Sequence, residues 1–167
     1  ITQLRQDAFR RGLRALFLYS KPRNRFMFEG LSFYRVAETG GTLLMENVKG
    51  GVQQFVKGLE QPENPGTVGA IVANCNPFTL GHRYLIESAA KQCDHLYAFI
   101  LSEDKSQFPA ADRLELVKQG TQDIPNLTVL PTGPYLISSA TFPTYFLKER
   151  EKAQTVQCQL DIEIFTK

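Results

Sequence analysis

Val68-Gly-Ala-Ile-Val-Ala73 followed by Asn74-Cys-Asn-Pro-Phe-Thr-Leu-Gly-His82 decides how this chain is built. Six apolar residues in a row predict a strand buried on both faces. The polar loop Asn74–Leu80 then leads into a helix from about Gly81 to Gln92, with His82, Leu85, Ile86 and Ala89 on one side. That order puts the loop at the carboxyl end of a strand, where open parallel sheets bind their ligands. The helix start presents unpaired N–H groups and the positive end of its dipole, which suits phosphate. Gly81 leaves room for close approach, Thr79 brings a hydroxyl and His82 an imidazole. Asn76, Pro77, Phe78, Thr79, Gly81 and His82 are therefore the candidate phosphate-binding residues. The plainer alternative is a capped helix whose histidine is half-buried; the agreement of motif and context weighs against it.

Downstream the same rhythm repeats. His95–Leu101 predicts a second buried strand, Ser102–Pro109 a polar loop and Ala110–Gln119 a helix with Leu114 and Val117 inward; Leu127–Leu130 is a third strand. Alternation at these lengths requires crossover connections, hence a parallel sheet. Further on, Ser138 or Ser139 is a possible cap, and Pro143 suits the first turn of a helix over Thr144–Lys152. The strict alternation of Val156, Cys158, Leu160, Ile162 and Ile164 predicts a half-buried strand.

Upstream, Gln61–Thr67 holds two prolines and a glycine and reads as a linker. Val52, Phe55, Val56 and Leu59 mark one face of a helix, and Leu16–Tyr19 and Thr42–Met45 are strand-like runs. Pro22 opens a short helix that Gly30 closes, and Gly40-Gly41 is a turn. Residues 1–60 thus form a small α+β unit, 61–67 a linker and 68–167 an α/β domain.

The chain has 167 residues, 43% hydrophobic and 22% charged, an ordinary globular composition. It begins with Ile1 rather than Met, so it reads as a piece of a longer chain. No apolar run reaches the roughly 20 residues that cross a bilayer, so no membrane role is expected. A net charge of +2 is too small to argue for nucleic acid. Arg5, Arg10, Arg11, Arg14, Lys21, Arg23 and Arg25 nevertheless stand against only Asp7 within residues 1–25, which reads as a solvated helix face and loop or as a surface for an anionic ligand or an acidic protein partner. Three scattered cysteines, with His82 and His95 the only histidines, form no zinc cage and fit reduced thiols in the cytoplasm. No metal site is read from the sequence.

The order Asn76-Pro-x-Thr79-x-Gly81-His82 resembles the signature of the nucleotidylyltransferase superfamily, in which an acidic residue stands at the position of Asn76 and an aromatic one at that of Cys75. This implies a Rossmann-like parallel-sheet domain that takes ATP. Asp104-Lys105-Ser106 and Ala111-Asp112-Arg113 resemble the basic loop and arginine of the same superfamily, implying that Lys105 and Arg113 neutralise triphosphate oxygens of a bound nucleotide and that His82, Thr79 and Arg113 are the catalytic residues. Ser102 and Glu103 end the second strand and are weaker candidates. The superfamily's late Ile-Ser-x-[Ser/Thr]-[Lys/Arg] motif has only Ile137-Ser138-Ser139-Ala140 as a partial counterpart, which suggests truncation at the C-terminus.

Over nearly the whole chain a closer resemblance holds, to the citrate lyase ligase family. It is carried by NCNPFTLGHRYLIE, FPAADRLELVKQGTQDIPNLTVLPTG and YLISSATFPTYFLKE, and upstream by LFLYSKP, FEGLSFY and GGTLLMENVKGG. In that family the upstream part resembles an acetyltransferase (GNAT-like) domain; Ser32 stands here where a glycine is usual. The resemblance implies a ligase that uses ATP, with Mg²⁺ accompanying the triphosphate, to activate acetate. The acetyl group then passes to the thiol of a coenzyme-A-like prosthetic group on the acyl carrier subunit of citrate lyase, and AMP and pyrophosphate leave. The same loop also serves adenylyl- or cytidylyltransferases acting on a phosphorylated alcohol such as phosphopantetheine, and a non-catalytic ATP-binding module would keep it too.

Overall fold

A computed structural model describes residues 1–60, 62, 66–103, 107–136 and 150–165. The chain divides into two compact units, Ile1–Leu59 with Phe142–Lys167, and Glu60–Thr141.

The first unit opens with helix α1 (Thr2–Arg10), of which only Ala8 is buried. Strand β1 (Phe17–Ser20), a 3-10 turn at Pro22–Asn24 and helix α2 (Arg25–Glu29), closed by Gly30, follow as the proline and glycine foretold. Strands β2 (Tyr34–Glu38) and β3 (Leu43–Glu46) complete an antiparallel sheet of order β1-β3-β2. Sequence reading missed β2. A register shift between Arg35 and Ala37 turns the adjacent Val36 and Ala37 both inward, which destroys the two-residue period. Helix α3 (Gly51–Lys57) starts where the buried Glu46 carboxylate accepts the Val52 N–H at 3.0 Å, after Gly50 at φ 68°.

The strand expected over residues 156–164 is instead part of helix α6 (Arg150–Phe165). Leu160 and Ile164 are buried and Val156 half-buried, whereas Cys158 and Ile162 are exposed. Five apolar residues spaced by two contain a subset spaced by four, and that subset faces inward along a helix. Helix α6 packs against β2 within the first unit, a different grouping from the 68–167 segment read from the sequence.

The second unit matches the expected α/β alternation: β4 (Val68–Ala73), α4 (Leu80–Ala90), β5 (His95–Ile100), α5 (Ala110–Gly120) and β6 (Leu127–Pro131). The sheet is parallel, in the order β4-β5-β6, with Ala73 paired to Ile100 and Ile100 to Pro131. β5, paired on both sides, is the buried strand. β4 was expected to be covered on both faces, yet Val68 is 46% exposed; among the described residues the strand pairs on one side only. Ile86 and Ala90 of α4 and Val117 of α5 close the core over Leu96 and Ile100, while Leu85, expected inward, is exposed.

Helices long and apolar enough to cross a membrane are absent among the described residues. The helix expected over Thr144–Lys152 lies outside them up to position 149, and the Ile137-Ser138-Ser139-Ala140 tetrapeptide lies wholly outside.

Candidate nucleotide site at the β4–α4 turn

The turn leaving β4 is held in shape by its own polar atoms. Thr79 is the N-cap of α4, in extended conformation, and its Oγ1 accepts the His82 N–H at 3.4 Å. In return the Thr79 N–H donates to His82 Nδ1 at 3.2 Å, and Oγ1 lies 2.8 Å from the same nitrogen. This is a capping box in which an imidazole takes the place usually held by glutamate or glutamine. Its chemical consequence is definite. A backbone N–H only donates, so Nδ1 carries a lone pair and the proton of the neutral ring sits on Nε2. His82 is thereby prepared as an N–H donor, and the ring stacks on Phe78 at 6.2 Å between centroids.

The exposed face around this donor has room. A Cβ built on Gly81 meets only Thr79 Oγ1, at 3.7 Å. Pro77 and Thr79 are also exposed, and the Asn76–Pro77 peptide is cis. Beneath the turn, Cys75 is fully buried with φ 49°, a left-handed conformation uncommon for residues other than glycine. Burial pushes its thiol up to about 11, against a smaller downward pull from Arg113, so it stays protonated and serves as packing.

Asn76 and Arg113 have tasks that sequence reading did not foresee. Asn76 Oδ1 accepts the Phe108 N–H at 3.0 Å, fastening the turn to the loop before α5. A neutral amide oxygen is sufficient for this bond. Arg113 is 0% exposed. Its Nη1 donates to the carbonyl and to Oδ1 of Asn74, both at 2.7 Å, its Nη2 to the Glu103 carbonyl at 2.6 Å and its Nε to the Phe108 carbonyl at 3.0 Å. The guanidinium expected to grip phosphate through its fork therefore spends that fork on the protein.

Other residues shape the site from further back. Arg83 binds Asp123 through two bonds of 3.0 and 2.6 Å, donates to the Gly120 carbonyl and pairs with Glu87 at 2.8 Å. The Arg83 hydrogen bond holds the Asp123 carboxyl below the usual carboxylate range. Gly120, the last residue of α5, lies against the Phe78 ring so closely that a Cβ there would collide with it. No local sequence pattern announces either contact, because the partners are 37 to 42 positions apart. Ser102 donates its N–H to Thr132 Oγ1 at 3.1 Å, and His95 sits 3.1 Å from Thr128 Oγ1 and edge-on to Tyr97, a structural setting. Lys105 lies outside the described residues. Clusters of three or more His, Cys, Asp or Glu able to hold a metal are absent among the described residues.

Comparison with known proteins matches residues 68–167 to the model of the citrate lyase ligase C-terminal domain. Proteins named [citrate [pro-3S]-lyase] ligase from Klebsiella pneumoniae and Escherichia coli (strain K12) are each 43% identical, over 99% and 98% of this chain. The one from Haemophilus influenzae is 40% identical over 99%. The chain spans about half the length of these curated relatives: 49%, 47% and 50% of each in turn. With the signature turn, the parallel sheet behind it and a family match over more than half its length, the chain belongs to the citrate lyase ligase family.

Proposed function

We propose that the chain carries the nucleotide site of an ATP-dependent ligase that activates acetate and acetylates citrate lyase. The observation that carries this reading is the capped turn, which presents the His82 Nε2–H at the start of α4, beside the exposed Gly81, at the carboxyl end of β4. Phosphate oxygens are the ligand that such a set of donors suits.

In this reading an acetate oxygen attacks the α-phosphorus of ATP, the bond to the bridging oxygen breaks and pyrophosphate leaves. A thiol sulfur then takes the acetyl carbon and AMP departs with the bonding electrons. Neither step needs a protein nucleophile. Both need positioning, and donors aimed at charge that grows on phosphorus-bound oxygens. His82 supplies one such donor and Thr79 orients it; Lys105 is the expected second cation. Mg²⁺ would arrive with the triphosphate, held by phosphate oxygens and water rather than by a protein cage. The acceptor thiol is that of the coenzyme-A-like group on the acyl carrier subunit of citrate lyase. Three free cysteines suit a reduced, cytoplasmic setting.

Exchange of labelled pyrophosphate into ATP, run on this chain with a full-length relative as positive control, tests the proposal. Exchange that depends on acetate supports it. Exchange that depends on a phosphorylated alcohol assigns the site to a different transfer, and ATP binding without any exchange reduces it to a binding module.

A further inference from the structure

We infer that Arg113 is a positioning residue that gives the nucleotide site its positive charge from behind the Asn74–His82 turn, without itself touching the nucleotide. The inference deepens the ATP reading above and rests on it.

Three observations combine. The side chain is wholly buried, so an exposed phosphate is out of its reach while the turn keeps this shape. Its fork joins three segments that meet at the site: the end of β4 through Asn74, the end of β5 through Glu103 and the entry to α5 through Phe108. And among the described residues the four oxygens that receive its N–H groups are three backbone carbonyls and one side-chain amide, all neutral. Carbonyl dipoles solvate the cation but do not cancel its charge, and a charge inside protein acts over a longer range than one in water. At the turn its charge pulls the Cys75 thiol down, against the larger upward push of burial. A lysine cannot copy the strap, because its donors radiate from one point and do not span three segments. The superfamily resemblance implies phosphate contact for this arginine; its hydrogen bonds place it in the scaffold, with only its field reaching the ligand.

The test compares binding of ATP and of adenosine to Arg113→Gln and Arg113→Lys, with folding checked by circular dichroism. The expected result is that Arg113→Gln weakens ATP on the order of ten-fold while adenosine changes by less than about two-fold, since only ATP carries phosphates. The salt dependence of ATP binding should flatten in the same variant. Arg113→Lys, which keeps the charge, should lose less of the ATP affinity than Arg113→Gln. Equal losses for ATP and adenosine would mean a merely structural strap and overturn the inference, as would unchanged ATP binding in folded Arg113→Gln. If Arg113→Gln does not fold, a crystal structure of the unaltered chain with a non-hydrolysable ATP analogue decides. Arg113 still on Asn74 supports the inference, and Arg113 on a phosphate overturns it. An unaltered chain that binds neither ATP nor adenosine overturns the nucleotide reading itself, and this inference with it.

Discussion

The Thr79 N–H donates to His82 Nδ1 at 3.2 Å, so one residue of the signature sets the proton position of the other. Had Nδ1 carried the proton, it would clash with that N–H and Nε2 would have no hydrogen to offer. The helix cap and the tautomer of the imidazole are here one arrangement, and substitutions that separate them are informative.

His82→Asn keeps an oxygen near the place of Nδ1 but removes the outward N–H. Acetate-dependent pyrophosphate exchange should fall on the order of 10²–10³-fold with thermal stability nearly unchanged. His82→Ala removes both, and should lose activity to the same degree plus about 1 kcal/mol of stability. Exchange in His82→Asn at the unaltered rate would show that Nε2 donates to nothing that matters.

Gly120→Ala should disturb the site from a distance. The backbone at Gly120 is not in the left-handed region, so alanine is locally acceptable there; the obstacle is the Phe78 ring. We expect a loss of about 1–3 kcal/mol in denaturant unfolding, together with weaker ATP binding, as the ring and its turn are displaced. Combining it with Phe78→Ala should cost less than the sum of the two single changes, a coupling that a double-mutant cycle measures.

Asp161 on α6 provides a pH dependence in the first unit. Burial raises its carboxyl to about 6, from 3.8. The folded state thus holds this proton more tightly than the unfolded state does. The associated stability is fully present below about pH 4 and is lost as pH rises through about 6. Asp161→Asn should therefore raise stability at pH 7 by about 1–2 kcal/mol and flatten the pH 4–6 segment of the curve. A variant whose stability still falls over that segment would assign the dependence to another group.

Thiol chemistry should separate the cysteines. Cys158 is exposed, whereas Cys75 is buried with its thiol pushed up to about 11. Iodoacetamide at pH 8 should label Cys158 readily and Cys75 only after denaturation, read by mass spectrometry of the peptides. Early labelling of Cys75 in the folded chain would mean that the turn opens.

Local pattern made much of the second unit legible. Val68–Ala73 and His95–Leu101 are apolar and short, as buried strands are, and the order strand, loop, helix places Thr79-x-Gly81-His82 beyond a strand's carboxyl end. Legibility failed where two periods overlap or where a bulge breaks one. Residues 156–164 satisfy strand alternation and helical spacing together, and only packing against β2 selects the helix. Tyr34–Glu38 loses its alternation at Val36 and Ala37.

The chain's amino-acid order, by itself, determined the alternating strands and helices of the second unit, the family and the position of the signature turn after β4, because these rest on neighbours within a few positions. Tertiary structure alone decided what the polar side chains do there. Arg113 meets Asn74 across 39 positions and Asn76 meets Phe108 across 32, so the arginine became a buried strap and the asparagine a loop tie. A side chain's donors go to whichever acceptors folding brings within about 3 Å, and that distance has no signature along the chain.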